Sequence, residues 1–70
     1  MDKDVLTFEG IVLESYPDSR FLVKINDKLT INAYLGGKLK KFNIKIMEGD
    51  RVVVEMSPYD LKNGRIVRRL

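Results

Sequence analysis

The sequence predicts an all-β fold, a small barrel of five short strands, and three observations carry that prediction. Apolar and polar residues alternate with a period of two over most of the 70 residues. Clusters of Pro, Asp, Asn, Ser and Gly cut the chain into segments too short to bury a face of their own. The one stretch with a helical spacing, residues 37–42, is long enough for little more than a turn.

Taken in order, residues 6–15 form the first predicted strand, with Leu6 and Phe8 on one face. Gly10 sits inside it and marks a bulge, after which Ile11, Val12 and Leu13 continue apolar. Tyr16-Pro17-Asp18-Ser19 is a turn. In the second strand Phe21, Val23 and Ile25 alternate with Arg20, Leu22 and Lys24. A tight hairpin through Asn26-Asp27-Lys28 leads to the third, where Leu29, Ile31, Ala33 and Leu35 alternate with Thr30, Asn32 and Tyr34. Residues 37–42 then place Leu39 and Phe42 on one side of a helical or 3-10 turn, with the lysines outward. Glu48-Gly49-Asp50 is a turn into the β-branched strand RVVVEM, residues 51–56. Ser57-Pro58-Tyr59-Asp60 closes it, and Asn63-Gly64 opens the last strand, residues 65–69. Five strands with a helical segment between the third and fourth is the layout of an OB-fold barrel, with an SH3-like barrel as the competing arrangement. Closure would also hide the edges that a sheet of this size otherwise exposes.

Composition narrows the function. Seventy residues make one domain, 1–70, with a thin core. There is no cysteine and no histidine, so disulfides, thiolate ligands, the commonest general base and any Ser-His or Cys-His pair are absent. The acids are scattered without metal-loop spacing, and no metal site, cofactor or small-molecule substrate is assigned. The domain leaves little room for a closed, water-excluding pocket, and the expectation is a protein that is not an enzyme. MDKDVLTFEG has neither a signal-peptide core nor an apolar run that could span a membrane.

The net charge of +3 is unevenly spread. Residues 1–37 hold four basic and six acidic groups; residues 38–70 hold nine basic and four acidic ones. Two stretches free of acid cause this: residues 38–45, with Lys38, Lys40, Lys41 and Lys45, and residues 62–69, with Lys62, Arg65, Arg68 and Arg69. Two such clusters in so short a chain favour a polyanionic partner over plain solvation.

The lysines are point charges on flexible stems, suited to phosphate oxygens. The neighbouring Gly36-Gly37-Lys38 is no phosphate loop, because Asn32 and Leu39 occupy the positions that would have to be Gly and Ser or Thr. Arginines bring a planar fork that grips phosphate or stacks on a base. Strict alternation would put Arg65 and Arg69 together on the outer surface, with Ile66 and Arg68 on the other face. Asn43 could hydrogen-bond RNA or cap the turn. Tyr34, on the polar face of its strand beside the lysines, is either a stacking platform or an ordinary exposed strand tyrosine.

The segments EGIVLESYPDSRFLV, GGKLKKFNIKI and GDRVVVEMSPYDLKNGRIV together resemble translation initiation factor 1 of bacteria and plastids. The resemblance runs from about Thr7 to Arg69, and its most specific part is Ser57-Pro58-Tyr59-Asp60-Leu61 with Gly64-Arg65-Ile66. It implies an OB barrel that binds the aminoacyl-tRNA site of the small ribosomal subunit. The implied contacts are with the decoding region of 16S-type rRNA and a neighbouring small-subunit protein. The implied work is blocking premature tRNA entry and cooperating with the two larger initiation factors. The basic loop of the family matches Gly37, Lys38, Leu39, Lys40, Lys41 and Lys45, and its basic final strand matches Arg65 and Arg69. Tyr34 stands where the family commonly has His, and Gly36 where it often has Ser. Lys40 and Lys45 stand where arginine is frequent, which keeps the charge but not the fork. The implied setting is a bacterial cytoplasm or, for a plastid-encoded chain, the stroma, and the expected state is a monomer without membrane contact. A general single-strand RNA binder of cold-shock type is the alternative. The aromatic stacking strand of that type has no counterpart here. A protein-interaction module on an SH3-like barrel is the other alternative.

Overall fold

The period-two alternation resolves into inward and outward rows. The structure, a computed structural model, describes residues 5–41 and 45–70, with Lys38 described by its backbone alone. Among the described residues there are five strands and one helical turn: β1 Leu6–Tyr16, β2 Arg20–Asn26, β3 Leu29–Leu35, α1 Gly37–Lys41, β4 Arg51–Met56 and β5 Asn63–Arg69. The strands close in the order β1-β2-β3-β5-β4 and back to β1. β1 serves two neighbours, pairing through residues 6–11 with β4 and through residues 11–16 with β2. Parallel pairing of β3 with β5 completes the barrel, with Ala33 opposite Gly64 and Tyr34 opposite Arg65. This is the OB arrangement, not the SH3-like one.

Gly10 is not the bulge that its position in the sequence implied. It is buried where β1 crosses β2, and a Cβ there would lie 2.6 Å from Val23 Cγ1 and 2.9 Å from the Lys24 carbonyl oxygen. Glycine is required by close approach, not by an extra residue. The register of β1 shifts further on, between Val12 and Glu14. There the Gly49 N–H donates to the Val12 carbonyl at 2.8 Å and the Val12 N–H donates to the Asp50 carbonyl at 2.9 Å. Gly49 takes a φ of 91°, and the Asp50 carboxylate accepts the Met47 N–H at 2.8 Å, which fixes the turn into β4.

The other turns use different devices. Ser19 adopts a φ of 64° to close the β1–β2 turn, with Asp18 and Arg20 ion-paired across it at 2.9 Å. The β2–β3 hairpin has no glycine and no positive φ. The Asn26 side chain instead accepts the Lys28 N–H at 2.8 Å, and the register slips by one between Lys24 and Asn26.

Val12, Phe21, Val23, Ile31, Ala33, Val52, Val54, Met56 and Ile66 fill the barrel. Leu39 of α1 and Ile46 of the following connection join them. Each fully buried aliphatic side chain contributes about 1.5–3 kcal/mol relative to exposure. Gly64 lies against this core, since a Cβ would stand 2.9 Å from both Ile31 Cδ1 and Met56 Cγ. Phe42, expected beside Leu39, falls outside the described residues.

Candidate nucleic-acid interface

The basic residues are organised around β5. The Gly36 N–H donates to the Ile66 carbonyl at 2.8 Å, which ties the chain leaving β3 to β5. The Lys40 N–H then donates to the Gly36 carbonyl at 3.1 Å and winds α1. Burial of Leu39 turns that helical turn so that Lys40 and Lys41 face solvent. Further along, Arg69 Nη1 donates to the Lys45 carbonyl at 2.8 Å and pins the second end of the connection to the end of β5. Lys45 itself is exposed, and the next residue, Ile46, anchors in the core. The segment between the third and fourth strands is thus fastened to β5 at two places, bringing Lys40, Lys41 and Lys45 to the strand that carries Arg65, Arg68 and Arg69. Lys38 lies in the same helical turn by its backbone, and Asn43 falls outside the described residues.

Pairing across the sheet places a second set of residues in one outward row. Arg20 of β2 is opposite Tyr34 of β3, Tyr34 is opposite Arg65 of β5, and Arg65 is opposite Glu55 of β4. Tyr34 is 52% exposed, so its ring is presented to solvent between two arginine-bearing strands. Arg65 Nη2 donates to Glu55 Oε1 at 2.8 Å, and this bond raises the guanidinium pKa above its ordinary value.

One geometric expectation is overturned here. The register of β5 slips between its pairings with Val54 and Val53, leaving Val67 as the extra residue. Beyond the slip the parity of the strand reverses. Arg68 now pairs with half-buried Val53, as Arg65 does with half-buried Glu55, whereas Arg69 pairs with buried Val52 at the barrel end. Arg65 and Arg68 therefore share the outer surface, and Arg69 turns to the Lys45 carbonyl.

Two open hollows flank the Arg65–Glu55 pair. One, of about 340 Å³, is bounded by Tyr34, Met56, Ser57, Asp60 and Asn63; the other, of about 450 Å³, by Gly36, Gly37, Leu39 and Val67. Glu55 and Arg65 contribute to the walls of both. Sequence reasoning missed three residues of this surface. Arg20 and Glu55 were visible only as outward positions, because their neighbours depend on strand order. Tyr59 is 89% exposed on the Ser57–Lys62 loop beside the first hollow, and its place in the SPYD turn was the available signal.

A five-stranded OB barrel whose final strand gathers a basic loop, three arginines and an exposed tyrosine belongs to the nucleic-acid-binding class of such barrels. The chain belongs to the translation initiation factor 1A / IF-1 family, whose model matches residues 2–70. It is 55% identical over 64 residues to translation initiation factor IF-1 of Azorhizobium caulinodans, covering 91% of this chain and 70% of that one. It is 49% identical over 67 residues to the same factor of Rhodopseudomonas palustris, covering 96% of this chain and 73% of that one. The solution structure of the same factor from the Wolbachia endosymbiont of Brugia malayi superposes with a TM-score of 0.80 at 43% identity, covering 97% of this chain and 80% of that one.

Proposed function

We propose that this protein is a bacterial translation initiation factor that acts by occupancy. It binds the small ribosomal subunit at the aminoacyl-tRNA site through contacts with the decoding region of the rRNA and a neighbouring small-subunit protein. Bound there, it keeps tRNA from entering early and works beside the two larger initiation factors. No bond is made or broken. The observation that carries the reading is the fastening of the lysine segment to β5 at both ends, which turns two clusters separated in sequence into one basic surface. Family membership supports the ribosomal setting. Lys38, Lys40, Lys41 and Lys45 supply charge for phosphates, Arg65 and Arg69 border the surface, and Tyr34 offers a ring to a base. Asn43 completes the set as a hydrogen-bonding residue. The protein works as a monomer in the cytoplasm.

Sedimentation with small subunits, large subunits and a structureless RNA at two salt concentrations tests this. The expected result is saturable one-to-one binding to small subunits alone. That binding should weaken about 10³- to 10⁵-fold between 50 and 200 mM salt if six to ten phosphates are engaged. The variant with Lys38, Lys40 and Lys41 all changed to Ala should bind more weakly, with a flatter salt slope and unchanged melting. Equal binding to all three partners would leave a basic barrel of general RNA preference, and normal binding by the triple variant would displace the site.

A further inference from the structure

Glu55 is out of place in a surface meant to attract polyanions. It lies on β4 in the basic half of the chain, directly opposite Arg65, and it takes part in a 2.8 Å ion pair. Its side chain is 32% exposed, against 50% for Arg65, so Glu55 is the more buried partner of the pair. Among the described acids only Asp50 shares its intermediate burial, and Asp50 is engaged by the Met47 N–H in a turn. The pair also forms the ridge between the two hollows. Tyr34 stands on the strand beyond Arg65, and the hydrogen bond to Glu55 raises the Arg65 pKa above its ordinary value.

Two physical consequences follow. An arginine bonded to a carboxylate through one Nη2–H keeps its remaining donors and both flat faces. Its attraction for distant phosphates, however, is largely cancelled by the neighbouring negative charge. Such an arginine is poorly used as a phosphate anchor and well used as a fixed plane beside a tyrosine ring.

We infer that Glu55 is a specificity-determining positioning residue: it holds Arg65 as a rigid, charge-cancelled plane beside Tyr34 that engages a nucleobase or base edge, and it leaves phosphate attraction to the lysines. This rests on the reading of the surface as an RNA interface. Without Glu55, Arg65 would become one more mobile cation. The protein would bind any RNA better and its own target less selectively.

The test compares unaltered protein with Glu55→Gln and Glu55→Asp, using structureless RNA and small subunits across a salt titration. Circular dichroism melting confirms that both variants fold. Glu55→Gln should steepen the log–log salt slope on structureless RNA by about one. That adds a further factor of about 3–4 to the affinity gained between 200 and 50 mM salt. Its preference for small subunits over structureless RNA should fall at least threefold. Glu55→Asp restores the charge but shortens the reach, so the slope should return to its original value while the lost preference does not. An unchanged RNA slope in Glu55→Gln overturns the inference, as does an equal loss of binding to both partners, or recovery of both properties in Glu55→Asp. If the unaltered protein itself shows no preference for small subunits, the functional reading falls instead, and the slope on structureless RNA still decides whether Glu55 masks Arg65.

Discussion

Gly64 occupies a position where space is already used from three sides: a Cβ would meet Ile31 Cδ1 and Met56 Cγ at 2.9 Å and the Glu55 carbonyl oxygen at 3.2 Å. Gly64→Ala should therefore destabilise the barrel by about 1–3 kcal/mol, the usual range for overpacking a filled core. Urea unfolding would read this as a lower midpoint at unchanged slope. The Tyr16 hydroxyl donates to Glu14 Oε1 at 2.8 Å, and that bond, helped by the carboxylate charge, raises the phenol pKa above 10. A raised folded-state pKa means that the interaction is fully present below the ordinary tyrosine pKa and is lost as pH rises through the folded value. Absorbance titration should show one tyrosine ionising late, and Glu14→Gln should move it back toward the ordinary value.

Strand limits were legible in the sequence because inward and outward residues alternate without interruption through β2, β3 and β4. Register slips were not legible. An extra residue at Val67 changes which arginine faces outward without altering the composition around it, and Gly10 drew attention from the shift that occurs beyond Val12. A bulge belongs to a pair of strands, so one strand alone carries no sign of it. The β2–β3 hairpin shows a related economy. With no glycine available, its turn relies on the Asn26 side chain accepting the Lys28 N–H. Asn26→Ala should cost about 0.5–1.5 kcal/mol, since the bond has no replacement except water. Chemical denaturation would check it. Asn26→Gln, one carbon too long for this closure, should resemble Ala rather than the natural residue.

Across the whole molecule the two basic clusters were visible from charge alone, and the likeness to one family from the Ser57-Pro58-Tyr59-Asp60-Leu61 and Gly64-Arg65-Ile66 stretches. The union of the clusters was not, because it depends on backbone and side-chain bonds from Gly36 to Ile66 and from Arg69 to Lys45 that join residues 24 or more positions apart. Glu55 was hidden for the same reason: an acid in an alternating strand reads as a solvated position until its neighbour across the sheet is known.

The placement of β5 also has a consequence for the order of events in folding. It is the last of the five strands in the chain, yet it lies between β3 and β4 and brings Ile66 into the centre. Until it arrives, β3 and β4 each present an unpaired edge, and the first four strands have no way to close on one another. A chain emerging from the ribosome at some 5–20 residues per second thus stays open until residues 63–69 are free to insert. Long-range strand pairing of this kind closes on the millisecond-to-second scale. The surface that gathers around β5 comes into being only when that strand inserts; until then the chain carries the lysines of residues 38–45 without the arginines beside them.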